Sequence, residues 1–223
     1  MPETSNNQLS CFTIGHSNYA IEDFLGLLKE HGINCLVDVR SSPYSKYVPQ
    51  YNKENLLAAL KRKNIKYVYK GDQLGGRYME SDLLYPDGTV DYSKVSKTKE
   101  FQGGIQSVIR NIKKGLNIAL MCSEKDPLNC HRFLLVAKAL SKYGVQVEHI
   151  LDNGKIIVQT DLEKSLVQEY NSELSQISFF EKNLSAEQSL EEAYKKRVKK
   201  ESILRYSDGC VWVIMNNTLN TNL

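Results

Sequence analysis

The chain has 223 residues and a mass of 25.4 kDa, and its 29 Lys and Arg residues against 26 Asp and Glu residues leave a formal net charge of +3. Hydrophobic residues make up 41% and charged residues 25%, which is ordinary for a globular protein. This length can bury a core without disulfide bonds, and the near balance of charge excludes a polybasic, histone-like binder. A local basic pocket remains compatible with these numbers, because net charge conceals clustering.

The N-terminal segment and the cysteines indicate a cytoplasmic protein. Residues 1–10 are polar and are expected to be a disordered N-terminus, and they lack the basic start and apolar run of a secretory signal. No stretch approaches the roughly 20 apolar residues that a membrane span needs. The 5 cysteines are scattered and odd in number, unlike a secreted disulfide framework, so we expect a reducing compartment. Cys11 and Cys35 fall within predicted strands and are expected to be core residues.

Short apolar runs alternate with amphipathic helices from residue 11 to residue 160. Strands are predicted at residues 11–15, 33–39, 65–69, 116–121 and 145–150, and an antiparallel strand at 155–159 follows a hairpin turn at 152–154. Helices are predicted between the strands, with Asn18, Asn52 and Asn129 as N-caps. This alternation predicts an α/β fold with three layers, a mostly parallel sheet with helices on both faces. A partial or distorted α/β barrel is the alternative, because sequence does not reveal strand order.

Three segments depart from this alternation. Residues 71–97 are polar and too long for an ordinary connection, which predicts a functional loop or lid. Residues 161–206 are predicted to form a helical extension, with capping-box patterns that begin at Thr160 and Ser185. Residues 207–223 form a tail to which the sequence assigns no role.

Polar and titratable residues gather directly after four predicted strands. Ligands of open parallel sheets bind beyond the carboxyl ends of the strands, so we expect these residues to share a pocket. The candidates are His16, Ser17 and Asn18, then Asp38, Arg40 and Ser42, then Gly75, Gly76 and Arg77, and finally Cys122, Glu124, Cys130, His131 and Arg132.

The first three groups each allow a structural and a functional interpretation. Asp38 and Arg40 can face the same side of an extended segment, as an ion pair or as a general base beside an anion clamp. The polar loop that contains Ser42 favours the functional interpretation. His16 is a helix cap or a proton carrier. Gly75 and Gly76 form a plain turn or permit a ligand to approach the backbone beside the Arg77 guanidinium.

The segment from Cys122 to Arg132 allows three interpretations. If Asn129 caps a helix, Cys130 and its neighbours occupy a first turn that favours anions and lowers the pKa of a thiol. The first interpretation makes Cys130 or Cys122 a nucleophile, with a nearby histidine or glutamate moving protons. The second makes the cysteines packing residues and lets Arg132 alone bind an anion.

The third interpretation is a metal site made by Cys122, Cys130 and His131. The 7 residues between the cysteines do not match a short zinc knuckle, and a fourth ligand must come from elsewhere. The leading interpretation therefore assigns no metal, and the sequence assigns no cofactor.

Four motifs in order resemble a known family. They are residues 13–18 (TIGHSN), 36–40 (LVDVR), 74–77 (LGGR) and 121–132 (MCSEKDPLNCHR). From about residue 11 to residue 160 the chain resembles the family called domain of unknown function 488. The resemblance implies an intracellular α/β domain whose signature residues are the candidates above, and it implies no activity. The chain after Arg205 departs from the usual ending of the family.

These observations predict an enzyme that acts on an anionic, phosphate-bearing substrate such as a nucleotide or a nucleic acid. Arg40, Arg77 and Arg132 would line its pocket. A non-catalytic module that binds a ligand or nucleic acid is one alternative, and a metal-binding protein is the other. The sequence identifies neither the reaction nor the oligomeric state.

Overall fold

A computed structural model of the protein describes residues 8–173 and 184–207. Six strands are present, and their ends lie within two residues of the predicted ones. They are β1 (Ser10–Gly15), β2 (Cys35–Asp38), β3 (Lys66–Tyr69), β4 (Ile118–Cys122), β5 (Gln146–Ile150) and β6 (Ile156–Val158). The helices in this part of the chain are α1 (Ile21–Glu30), α2 (Lys53–Arg62), α3 (Gly71–Leu74), α4 (Tyr92–Val95), α5 (Lys99–Lys113), a π-helix (Arg132–Ala137) that continues as α6 (Lys138–Lys142), α7 (Gln159–Glu169) and α8 (Ala186–Ser207). None of these helices is long and apolar enough to cross a membrane.

The strands form one open sheet in the order β3-β2-β4-β1-β5-β6. The first five strands are mutually parallel, and β6 runs antiparallel to β5 after the predicted hairpin, where Gly154 has a φ of 76°. The sheet is not closed, so the predicted three-layer α/β fold is confirmed and the barrel alternative is wrong. Since β4 lies between β2 and β1, their carboxyl ends are side by side: Gly15 pairs with Cys122, and Asp38 pairs with Met121.

Helices cover both faces of the sheet because its strands are apolar on both sides. Leu36 of β2 packs with α1 and α2, whereas the next residue, Val37, packs with α5 and α6. Cys11 and Cys35 pack in the same apolar cluster as Val37, as predicted for core cysteines. The two apolar layers hold the sheet rigid, so the residues that follow its strands are held at fixed positions.

The helix that follows β4 begins differently from the prediction. Residues Pro127–Asn129 form a 3-10 turn, and Cys130 is extended, with φ −132° and ψ 140°. The carbonyl of Cys130 accepts a hydrogen bond from the Leu134 N–H at 3.0 Å, and its Sγ accepts one from the Arg132 N–H at 3.5 Å. Cys130 therefore caps the helix instead of Asn129, and it precedes the first turn rather than lying in it.

Two other predicted helix starts are also wrong. Asn18 is not a cap, since α1 begins at Ile21 after Ala20, and the preceding turn holds Ser17 at a φ of 48°. The pattern at Thr160 does not form a capping box, because α7 begins one residue earlier, at Gln159.

The helical extension packs against the main domain. Its residues share an apolar cluster with Phe133 and Leu134 of the π-helix: Leu162, Leu166, Tyr170, Ala193, Tyr194 and Val198. The capping box at Ser185 is confirmed, because its hydroxyl accepts from the Gln188 N–H at 3.2 Å while the Gln188 side chain accepts from the Ser185 N–H at 2.8 Å.

The predicted loop at residues 71–97 is a folded segment that contains α3, a short 3-10 turn and α4. The proposed tail lies outside the described residues, except for residue 207, which is the last residue of α8. Of the predicted N-terminus, residues 1–7 also lie outside the described part, whereas Ser10 belongs to β1.

Candidate functional site

A cleft opens at the carboxyl edge of the sheet, beyond β2 and β4. It is small, with a cavity volume of about 50 Å³, and it is open to solvent. Its lining residues are Arg40, Ser41, Ser42, Gly76, Arg77, Cys122, Ser123, Glu124 and His131. All but Ser41 and Ser123 were candidates from the sequence. Both serines are adjacent in the chain to candidates, and those neighbours were the available signal.

Arg40 is held in the cleft wall by contacts on three sides. Its Nε and Nη2 groups donate to the two Asp38 carboxylate oxygens at 2.9 and 2.7 Å. Nη2 also donates to the Tyr51 carbonyl oxygen at 2.9 Å, and Nη1 donates to His16 Nε2 at 3.1 Å. The guanidinium is only 4% exposed, so it presents one fixed edge to the cleft.

Asp38 lies behind Arg40 and has no exposed surface. Its Oδ1 also accepts from the Arg40 N–H at 3.0 Å, and its Oδ2 accepts from the Tyr67 hydroxyl at 2.8 Å. These contacts favour the ion-pair interpretation and leave the carboxylate without access to a ligand in the cleft. Asp38 therefore orients Arg40 rather than meeting a substrate.

His16 contacts the Arg40 guanidinium at Nη1, on the side away from Asp38. Burial, together with the Arg40 charge, lowers the pKa of His16 to about 4, so the ring is neutral near pH 7. Its Nδ1–H donates to the Ser17 carbonyl oxygen at 2.8 Å, which leaves Nε2 to accept from Arg40. The ring stacks on Tyr51 at a centroid distance of 4.1 Å and does not line the cleft.

Two thiols, a carboxylate and an imidazole meet at the floor of the cleft. The Cys122 and Cys130 thiols both donate to Glu124 Oε2, at 2.9 and 3.1 Å. His131 Nδ1 lies 3.6 Å from Cys122 Sγ and 3.9 Å from Cys130 Sγ. His131 Nε2–H donates to the Val39 carbonyl oxygen at 3.0 Å, so the Nδ1 atom faces the sulfurs. We call Cys122, Glu124, Cys130 and His131 the thiol cluster.

The environment pushes the two thiol pKa values in opposite directions. Burial raises the pKa of Cys122 well above its ordinary value, and the adjacent Cys130 and Glu124 raise it further. Burial also acts to raise the pKa of Cys130, but its interaction with the Cys122 side chain and the nearby Arg132 charge lower it overall. Burial opposes the charged form of His131, but its pKa is raised overall by the adjacent Cys130. Of the two thiols, Cys130 therefore ionises more readily.

Arg132 does not reach the cleft. It has no exposed surface, and its Nη1 and Nη2 groups donate to the backbone carbonyls of Glu124 and Lys125. The prediction that Arg132 lines the pocket is therefore wrong, because the loop after β4 wraps over its guanidinium. Arg132 instead fixes the backbone from which the Glu124 side chain projects.

Three further candidates lie beside the cleft rather than in its wall. The Ser17 N–H donates to the Ser123 carbonyl oxygen at 2.9 Å, and the Ser17 hydroxyl donates to Asn18. Gly75 lies under the loop, where an added Cβ would be 2.4 Å from Ser41 Oγ. A glycine is therefore needed at position 75 because the Ser41 side chain approaches its backbone, and not because a ligand does.

Gly76 is required by the His131 ring. A Cβ at Gly76 would lie 2.7 Å from His131 Cγ, a distance that real side chains do not adopt. The next residue, Arg77, has an exposed side chain, and its N–H donates to Ser41 Oγ at 3.2 Å. The two glycines thus let the segment after α3 lie against the thiol cluster and bring Arg77 to the cleft.

Replacement of Gly76 by alanine is expected to lower the free energy of unfolding by about 1–3 kcal/mol, because the methyl group displaces the His131 ring. Gly26 in α1 is the matched control, since a Cβ there meets nothing within 4 Å. Urea unfolding of G76A, G26A and the wild type at one pH measures both changes. A G76A variant as stable as the wild type would show that this contact does not hold the ring.

The fold and the cleft define the class of the protein: an open, three-layer α/β domain with a polar cleft at the carboxyl edge of its parallel strands. The family model for the domain of unknown function DUF488 matches residues 20–139, more than half of the chain, so the chain belongs to this family. Every cleft residue falls within that range, whereas the motif at residues 13–18 precedes it. The chain matches no curated protein and no solved structure.

Proposed function

We propose that the protein is an enzyme that acts on an anionic, phosphate-bearing substrate, a nucleotide or a nucleic acid, in this cleft. The observation that carries the proposal is the pairing of two kinds of chemistry across one cleft. Arg40 and Arg77, from separate loops, supply positive charge, and the thiol cluster supplies groups that can move protons or attack an electrophile.

The cleft wall suits a phosphate group. The Arg40 guanidinium is already oriented by Asp38, Tyr51 and His16, so little side-chain entropy is lost when an anion binds. Serine hydroxyls at positions 41, 42 and 123 are further donors in the same wall. Arg77 is exposed and can adjust to the ligand.

Exposed aromatic side chains on the loop that follows Arg40 favour a nucleotide over a simple anion. The loop that begins at Ser41 carries Tyr44 and Tyr47, whose side chains are 55% and 82% exposed. The Lys46 ammonium lies 5.0 Å from the centre of the Tyr47 ring. Exposed rings next to basic groups provide stacking surfaces for bases, worth about 1–3 kcal/mol for each base.

We also propose a cytoplasmic location. Its support is the state of the cysteines in the described part of the chain, where Cys11, Cys35, Cys122 and Cys130 are free thiols. Free thiols grouped as closely as those of the thiol cluster persist in reducing compartments.

Arg77→Gln is expected to weaken the binding of adenosine triphosphate and of a short single-stranded oligonucleotide about 10- to 100-fold, because a charge-assisted contact is lost. Isothermal titration calorimetry at one stated salt concentration measures the change. Arg62→Gln is the matched control, since Arg62 is exposed at the end of α2, near the amino end of β3. Equal affinities for R77Q and R62Q would contradict the proposed anion site.

Turnover is measured on the same preparations, with the bound nucleotide as substrate. The wild type is expected to convert it, and R77Q is expected to lower kcat/KM by a factor similar to its loss of affinity. A wild type that binds these ligands through Arg77 but converts none of a panel of nucleotides and oligonucleotides would overturn the enzymatic proposal and leave the binding-module alternative.

A further inference from the structure

We propose that the thiol cluster is a binding site for one divalent ion of the zinc type, with Cys122 Sγ, Cys130 Sγ, His131 Nδ1 and a Glu124 carboxylate oxygen as its ligands. The four ligand atoms lie within 4.8 Å of one another. The ligands of this site are different residues from those proposed to contact the anion. A role of the ion in catalysis, however, rests on the proposed function.

The separations between His131 Nδ1 and the two sulfurs are close to those of a tetrahedral site. Zinc bonds of about 2.0–2.3 Å place the ligands of a tetrahedral ion roughly 3.3–3.8 Å apart. The distances from His131 Nδ1 to the two sulfurs are 3.6 and 3.9 Å. The distances from Glu124 Oε2 to the sulfurs are 2.9 and 3.1 Å, so the carboxylate needs to move outward by only a few tenths of an ångström.

The histidine is oriented as a metal ligand is. The His131 Nε2–H donates to the Val39 carbonyl oxygen, which fixes the tautomer whose Nδ1 lone pair faces the sulfurs. Gly76 packs so closely against Cβ, Cγ and Nδ1 of His131 that no side chain fits there. A histidine with only a packing role needs neither a fixed tautomer nor a glycine against its ring.

The donor set favours zinc over the harder cations. Two sulfurs and one imidazole are soft or borderline ligands, which select zinc rather than magnesium or calcium. The ion would also neutralise charge, because buried thiols release their protons when they bind a metal. Glu124 supplies the fourth ligand that the spacing of the cysteines and His131 could not identify.

The position of Glu124 indicates an ion that substrates can reach. Cys122, Cys130 and His131 are buried, whereas Glu124 is half-buried, and all but Cys130 line the cleft. Catalytic zinc sites combine three protein ligands with one exchangeable position. Displacement of the Glu124 carboxylate would open such a position toward Arg40 and Arg77.

The test uses the full chain, purified under reducing conditions without a metal-binding tag. After addition of zinc and removal of the excess, elemental analysis is expected to find roughly one zinc ion per chain. Replacement of zinc by cobalt is expected to produce the near-ultraviolet absorption of cobalt thiolates and the visible bands of a tetrahedral ion. Cys122→Ser should lose the zinc during dialysis against a mild chelator, and Cys35→Ala, which removes a buried cysteine outside the site, should keep it.

Glu124→Gln keeps the proposal testable if C122S fails to fold. It should retain the cobalt–thiolate absorption, since both sulfurs remain, but change the visible bands, since one ligand is weakened. Unchanged visible bands would remove Glu124 from the ligand set. A wild type without stoichiometric zinc and without the cobalt–thiolate absorption would overturn the site, and so would a Cys122–Cys130 disulfide in the reduced preparation.

The R77Q variant separates this proposal from the proposed function. It should keep roughly one zinc ion per chain, because Arg77 does not belong to the thiol cluster. A wild type that holds zinc but binds neither nucleotide nor oligonucleotide would contradict only the proposed function, and a wild type that binds them through Arg77 but takes up no zinc would contradict only the metal site.

Discussion

Arg40→Met is expected to lower the free energy of unfolding by about 3–5 kcal/mol, because it leaves the Asp38 carboxylate buried without its partner. Asp38 is 0% exposed and Arg40 is 4% exposed, so water cannot replace the lost contacts without opening the fold. The Tyr51 carbonyl would lose a donor in the same substitution. Destabilisation of this size would show that the Asp38–Arg40 ion pair stabilises the cleft wall.

The double variant Asp38→Asn/Arg40→Met distinguishes the cost of an unpaired buried charge from the loss of the other Arg40 contacts. Removal of both charges should recover part of the stability that R40M loses, because no uncompensated charge remains. Arg62→Met, on an exposed side chain, should change stability by about 0.5 kcal/mol or less. Urea unfolding with linear extrapolation measures all three variants, and an R40M variant that loses less than about 1 kcal/mol would contradict the buried ion pair.

Acidification from about pH 7 to about pH 4 is expected to remove about 3 kcal/mol of stability through His149 alone. Burial and, to a smaller extent, the Arg132 charge lower the pKa of His149 from 6.5 to about 3, against the opposite effect of the hydrogen bond to Gln159. The ring lies between Thr13 Oγ1 at 2.7 Å and Gln159 Oε1 at 2.8 Å. Glu163, which accepts from the Gln159 amide, is the nearby acidic group.

The sign of this effect follows from proton binding. The unfolded chain protonates His149 below about pH 6.5, but the folded chain resists protonation down to about pH 3. The contribution to stability is therefore complete above the unfolded pKa and is lost as the pH falls toward the folded pKa. Unfolding free energies of the wild type and His149→Gln across this interval measure it, and equal pH dependence of the two proteins would contradict the assignment.

The sequence by itself determined the layered fold and the neighbourhood of the site. Apolar runs bounded by glycine and asparagine located every strand to within two residues, because a buried parallel strand leaves a continuous apolar signature. The rule that ligands lie at the carboxyl edge then selected seven of the nine residues that line the cleft. The strands and the cleft residues could be predicted because they depend on local periodicity and on chain order, and the sequence shows both.

The capping rules failed where other residues determined how the helix starts. The Asn129 cap was displaced because Pro127 begins a 3-10 turn and Cys130 supplies the carbonyl and sulfur that accept the first N–H groups. The capping box at Thr160 failed because α7 starts at Gln159, whose side chain bonds to His149 across the sheet.

Only the tertiary structure decided which polar groups line the cleft. Arg40 and Arg132 both follow strands and look alike in the sequence, but Arg40 is turned into the cleft by Asp38 and His16, and Arg132 is covered by the loop after β4. The strand order placed β4 between β2 and β1 and so brought Cys122 beside Gly15. The orientation of each guanidinium depends on the contacts that the folded chain makes around it, and the position of an arginine after a strand does not reveal those contacts.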